Sequence, residues 1–254
     1  MPHVNVERYI WMIDQVVRES AFTIARVARE LEHAPPEDIL AWALRAYSGS
    51  TALACSFGGP TGIVAIDMAM RIDPSTPVYY LHTGLLFEET RTLIDRIRER
   101  YAIEPIAVRP RLSLAEQAEL YGDALWERNP DLCCKLRKVE PQERFLESYD
   151  AWISGIRRDQ TNERSLTPVI AWDDKFGLIK VSPFARWTEE MVWRYVRARD
   201  LPYNELHDRQ YPSIGCIPCT RSIHPGEALR DGRWAGSGKV ECGLHVTLNS
   251  GSAR

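Results

Sequence analysis

The chain has 254 residues, room for one large α/β domain or two small ones. With 44% hydrophobic and 26% charged residues and a net charge of −3, it reads as a globular protein with no composition suited to nucleic acid or a membrane surface. Apolar runs such as residues 62–70 are too short for a bilayer span, and the first residues show no basic-then-apolar signal pattern, so a cytoplasmic protein is expected.

Residues 4–48 carry apolar and charged positions at helical spacing and break at Pro35-Pro36. They predict two helices, an N-terminal cap (1–48) on a single α/β domain (49–254). An apolar run at 51–55 predicts the first strand. It ends in Ser56-Phe57-Gly58-Gly59-Pro60-Thr61-Gly62 and passes into a helix over 63–71. A second strand over 78–81 leads through His82-Thr83-Gly84 into a helix with Glu88 and Glu89 in its first turn and an apolar stripe at Leu93, Ile94 and Ile97. Residues 106–108 form a third strand, stopped by Pro110. After a helical stretch around 113–121, Cys133-Cys134 opens another helix ending near Tyr149. A fourth strand at 152–154 opens on a charged loop with Arg157, Arg158, Asp159, Gln160 and Arg164. A fifth strand spans 178–181, and Thr188 caps a helix that ends before Pro202. From about 203 the chain is polar, glycine-rich and irregular, ending in a flexible tail. Strands alternating with helices predict a parallel sheet with helices on both faces, and ligands beyond the carboxyl ends of strands one, two and four.

Four groups of residues carry chemistry. The turn at Ser56, Gly58 and Gly59, between a strand and a helix N-terminus, suits a phosphate as well as it suits a plain tight turn. It is neither a Walker A loop nor a Gly-x-Gly-x-x-Gly fingerprint. Cys133, Cys134, Cys216 and Cys219 supply four thiols in two tight pairs. In a reducing compartment these suit tetrahedral zinc or an iron–sulfur cluster, and adjacent cysteines fit the corners of a [4Fe–4S] cube more easily than one zinc ion. Buried free thiols beside a redox Cys-x-x-Cys are the plain alternative. Near the end, Glu241-Cys242-Gly243-Leu244-His245 puts a thiol beside glycine in a polar segment, with an imidazole three residues on that could favour the thiolate or carry its proton. Cys55, in an apolar strand, reads as packing. The cations Lys138, Arg157, Arg158, Arg164, Arg230 and Arg233 fall in the same loops; each alone suits a solvated surface, and together they suit an anion pocket.

Taken in order, Cys133-Cys134-x-x-Arg137-Lys138-x-Glu140-Pro141, Gly155-x-Arg157-Arg158-Asp159-Gln160, Leu201-Pro202-Tyr203-Asn204, Ser213-Ile214-Gly215-Cys216-x-Pro218-Cys219-Thr220-Arg221 and the segment around Cys242 resemble the assimilatory adenylyl-sulfate reductases over about residues 50–245. The resemblance implies an adenine-nucleotide α-hydrolase-like (PP-loop) fold. It implies a [4Fe–4S] cluster on Cys133, Cys134, Cys216 and Cys219, with Cys242 as nucleophile. Leu81, Thr83, Gly155 and Arg164 would line the nucleotide site, and Lys138, Arg230, Arg233 and His245 would lie near sulfate and phosphate. The implied activity is reduction of adenylyl sulfate to sulfite and AMP, in sulfate assimilation and cysteine biosynthesis. No second thiol beside Cys242 is free of the clustered set, so thioredoxin or glutaredoxin is expected to release sulfite. Pro60-Thr61-Gly62 stands where this family carries an acidic pair, and His82 where it carries aspartate. Other readings are phosphoadenylyl-sulfate reduction, an RNA-modifying PP-loop pyrophosphatase, or an iron–sulfur or zinc redox sensor. No nucleic-acid or membrane partner is expected; the oligomeric state is open, a homo-oligomer included.

Overall fold

A computed structural model describes residues 23–245 of the chain. The first part of the expected cap and the last nine residues of the expected tail lie outside the described residues. Helix α1 runs through 23–31, and α2 (Pro36–Ala46) starts after Pro35 with Glu37 and Asp38 in its first turn, where the helix dipole favours acids. Ile39, Leu40, Ala43 and Leu44 share one face of α2 and are buried in the main core. This helix is therefore packed into the domain rather than resting on it.

Six strands form one sheet: β1 (Thr51–Ala54), β2 (Val78–Leu81), β3 (Ile106–Val108), β4 (Ala151–Ser154), β5 (Ile170–Asp173) and β6 (Leu178–Val181), in the order β3-β2-β1-β4-β6-β5. Every pairing is parallel except β5 with β6. Side-chain alternation gives the sheet two dry faces. Leu53, Val78, Ile153 and Val181 join α2, α3 (Pro60–Ile72), α4 (Glu88–Tyr101) and α9 (Glu189–Ala198) in the larger core. Ala52, Tyr79, Trp152 and Leu178 face the other way, against Leu146.

Four helices lie between β3 and β4: α5 (Leu114–Tyr121), closed by a Ser113–Glu116 capping box, then α6 (Leu125–Arg128), α7 (Pro130–Cys134) and α8 (Glu140–Leu146). A π-turn at Lys135–Val139 joins α7 to α8. Pro141 stands two residues beyond it; lacking an N–H and crowding the carbonyl four residues back, it favours such local widening. Thr188 caps α9 as expected, its side chain accepting from Met191 N.

Strand β5 departs from the sequence expectation, which placed only one strand, 178–181, in this region. β5 lies at the sheet edge with Trp172 exposed, so its pattern has no continuous apolar face to signal it. It is made by a hairpin whose turn is closed by Phe176 N and Gly177 N donating to Asp173 O. Among the described residues no helix is long and apolar enough to cross a membrane.

Strand order reverses between β1 and β4: the chain leaves β1 toward β2 and β3, then returns to pair β4 on β1's other side. In doubly wound sheets the ligand crevice opens beyond the strand ends at that switch.

Candidate active site

The crevice at the switch is a cavity of about 260 Å³. Its floor is the turn after β1. Phe57 is fully buried and sits at φ 53°, a strained backbone for a phenylalanine. The turn is braced from behind: Asn204 Nδ2 donates to Phe57 O and to Thr90 Oγ1 (3.0 Å each), and His207 Nε2 donates to Gly58 O at 3.1 Å. Gly58 is required, because a Cβ there would sit 2.7 Å from the Ile214 carbonyl oxygen. Gly155, after β4, brings backbone against the start of α3, where a Cβ would meet Gly62 N at 3.3 Å. The first turn of α3 has no side-chain cap, leaving its N–H groups for an anion.

All of the expected substrate and catalytic residues line this one cavity. Ser56, Gly58, Gly59 and Gly155 form its floor, and Leu81 and Thr83 come from the end of β2. Lys138, Arg157, Arg164, Arg230 and Arg233 supply its cations, while Cys242 and His245 enter from the C-terminal segment.

The cations divide into two groups. Arg157 is held by Asp159 at 2.9 Å, by Thr61 Oγ1 at 2.7 Å and by Glu189 at 3.8 Å, so it ties the β4 loop to α3 and α9. Arg164 gives its fork to Glu241, at 2.7 Å through both Nε and Nη2, and its remaining nitrogen to Gln160. Arg158 turns away to Glu32 at 2.6 Å. Arg230 and Arg233, by contrast, share one weak acceptor, Ser213 Oγ, at 3.4 and 3.3 Å. Among the described residues their Nε groups, Trp234 Nε1 and His245 Nδ1 are buried without a partner. Unpaired buried donors are costly, and several around one cavity mark an anion seat. Burial pulls the Arg230 guanidinium down to about 10 despite Glu241 nearby. Burial acts the same way on Lys138, yet the surrounding thiols Cys216, Cys242 and Cys134 outweigh it and raise its pKa.

Next to this cavity, Cys133, Cys134, Cys216 and Cys219 line one small void together with Arg137 and Lys138. The first pair closes α7; the second flanks a tight turn in which Cys219 N donates to Cys216 O at 3.0 Å. Ile217 N bonds Leu85 O at 2.9 Å, and Thr83 Oγ1 lies 3.4 Å from Cys216 Sγ, so the β2 turn knits the two centres together. Burial first, then the neighbouring thiols, push Cys133 and Cys219 up to about 11. Four such thiols around one void, beside the cations Arg137 and Lys138, fit a thiolate-held metal centre of negative overall charge. Among the described residues no three histidine, cysteine or carboxylate groups are gathered as for a single ion. Cys55 is buried, pushed up to about 12 by burial and bonded only to Phe57 N, in keeping with its expected packing role.

Cys242 is half-buried in the main cavity. His245 stacks on Trp152, with ring centroids 5.9 Å apart and planes 9° from parallel. Burial, then Lys180, Arg164, Arg230 and Lys175, hold its pKa well below 6.5. A neutral imidazole carries no positive charge with which to favour a thiolate. Sequence reasoning did not single out Ser213, Asn204, Trp152 or Glu241 as site residues. Ser213, Asn204 and Glu241 stood inside quoted motifs, but their partners lie far along the chain and only the fold reveals them.

A mostly parallel sheet with its crevice at the order switch, and an anion seat and a thiol inside that crevice, define a doubly wound α/β protein with a polar ligand site. The chain belongs to the phosphoadenosine phosphosulfate reductase family, whose domain model matches residues 50–222. It is 48% identical over 223 residues to the adenosine 5'-phosphosulfate reductase of Halalkalibacterium halodurans, covering 87% of this chain and 96% of that one. The protein of the same name from Salinibacter ruber is 43% identical and covers 90% of both. A crystal structure of phosphoadenylyl-sulfate reductase from Candida auris, a phosphate complex, superposes with a TM-score of 0.68 at 30% identity, covering 79% of this chain and 96% of that one. Candida glabrata FMN adenylyltransferase, at 15% identity and a TM-score of 0.54 over 73% of this chain and 64% of that one, shares the fold alone.

Proposed function

We propose that this chain is a cytoplasmic adenylyl-sulfate reductase of sulfate assimilation that works through an S-sulfo intermediate on Cys242. The observation that carries the reading is the half-buried Cys242 in the same cavity as the unpaired donors of Arg230, Arg233 and Trp234 and the unpaired ring nitrogen of His245, apart from the four clustered thiols. Adenosine sits on the glycine turn, and the phosphosulfate points to Lys138, Arg230 and Arg233. The Cys242 thiolate attacks sulfur, the S–O bond to phosphate breaks, and AMP leaves with the electron pair. The cations offset the repulsion between thiolate and sulfo group, the kind of preorganised stabilisation worth about 10²- to 10³-fold per donor. A thiolate of thioredoxin or glutaredoxin then attacks Cys242 Sγ and expels sulfite. Its second thiol resolves the mixed disulfide, so both electrons come from that dithiol.

Cys133, Cys134, Cys216 and Cys219 would hold a [4Fe–4S] cluster; the support is two pairs of thiols around a common void, one pair being adjacent residues. When bound, the cluster supplies a fixed anionic body beside Lys138. Protein purified without oxygen is expected to be brown, with about four irons per chain, and Cys134→Ser to lose iron and activity together. One stoichiometric zinc instead would reject the cluster.

The test of the mechanism is a single turnover without reductant. Reduced protein mixed with adenylyl sulfate should release one AMP per site in a burst and gain about 80 Da, the mass of one sulfo group, on Cys242. Thioredoxin should remove the adduct. Cys242→Ser should still bind AMP, with no burst and no adduct; label on another residue rejects the mechanism.

A further inference from the structure

We propose that Glu241 is the positioning residue that seats the Cys242 thiol, by latching the C-terminal segment onto Arg164. The inference rests on the reading of Cys242 as nucleophile and adds the means by which the chain places it. The segment around the thiol is gripped at alternating points by the body of the domain. Arg230 Nη2 donates to Val240 O at 3.0 Å, Lys175 Nζ donates to Gly243 O, and His245 stacks on Trp152. Glu241 makes the strongest of these grips. Both carboxylate oxygens accept from Arg164 at 2.7 Å, and Arg230 Nη2 lies 3.5 Å from Oε1.

Two features make this pair the latch rather than one contact among several. The side chains of Arg164 and Glu241 are only 10% and 7% exposed, so the attraction is little screened. Arg164 lies on the loop after β4, 77 residues earlier, at the sheet's order switch, and Gln160 holds its third nitrogen. Bidentate geometry fixes the direction of the Glu241 side chain as well as its place. With residue 241 fixed toward Arg164, residue 242 is carried into the cavity beside Lys138. Arg164 thus acts on the reaction through Glu241.

The test uses the whole protein with AMP bound and three readouts: iodoacetamide alkylation of Cys242 followed by intact mass, the AMP burst rate, and AMP affinity. Glu241→Ala should speed alkylation at least about fivefold, because the segment opens more often. It should slow the burst at least about tenfold while AMP affinity stays within about twofold. Glu241→Gln should fall between, and Arg164→Gln should speed alkylation as Glu241→Ala does, with no further increase when the two are combined. Should either single variant fail to fold, the double exchange Arg164→Gln with Glu241→Gln removes both charges together and is read the same way. Unchanged alkylation and burst, or AMP affinity falling as far as the burst rate, would overturn the proposal. Absence of burst and adduct in the unmodified protein would instead reject Cys242 as nucleophile, while the alkylation arm still decides whether Glu241 latches the segment.

Discussion

Among the described residues Ser213 is the one acceptor that the Arg230 and Arg233 guanidinium groups share, and it holds them by weak bonds that an anion can replace. Ser213→Ala is expected to lower kcat/KM for adenylyl sulfate about tenfold through misplaced arginines, with unfolding stability changed by less than about 1 kcal/mol. Steady-state kinetics and urea titration check both halves. Lys180 gives a pH prediction. Burial lowers its pKa to about 8, and its ammonium lies 5.1 Å from the centre of the Trp152 ring. A base whose folded pKa is depressed destabilises the folded chain while it is charged, so its cost is present below about 8 and fades as pH approaches the unfolded lysine value near 10.4. Lys180→Met should therefore stabilise the protein by about 2 kcal/mol at pH 7, and by much less at pH 9.5. An equal gain at both values would show that packing and not charge is responsible.

Helices and central strands were legible because their periodicity is local: the stripe of α4, the Ser113 and Thr188 caps and the buried runs of β1 and β2 each declare themselves within ten or so residues. The edge strand β5 and the π-turn were not legible, since one depends on pairing with β6 and the other on a proline two residues beyond it. The same division holds in the site. Cysteines and glycines mark themselves by spacing, whereas the engagement of Arg157 by Thr61 appears only when α3 and the β4 loop meet. Asn204 shows what such long-range contacts do for an element. Both its amide donations brace the α4 start and the strained Phe57 turn, so Asn204→Ala should cost about 1–3 kcal/mol in unfolding free energy. It should also weaken AMP binding more than it slows the burst, measurable by calorimetry beside rapid quench.

Over the whole molecule, the proposed function ties substrate choice to charge placement. Arg157, Arg158 and Arg164 are committed to protein acceptors, and on that proposal Lys138, Arg230 and Arg233 meet the phosphosulfate end. An additional 3'-phosphate on the nucleotide would thus meet no uncommitted cation among these six. We expect kcat/KM to favour adenylyl sulfate over the 3'-phosphorylated form by at least about tenfold, or about 1.4 kcal/mol. Equal values would place a cation on the ribose that this allotment lacks. The two cysteine pairs have a separate consequence for the chain as a polymer. They stand at 133–134 and 216–219, so a group bound to all four closes a loop of roughly 80 residues that contains β4, β5, β6 and α9. Such a cross-link removes freedom mainly from the unfolded chain, about 4 to 5 kcal/mol for a loop of this length. Binding of such a group would then act as a staple on half the sheet, and newly made chains still without it would be the ones most exposed to proteolysis.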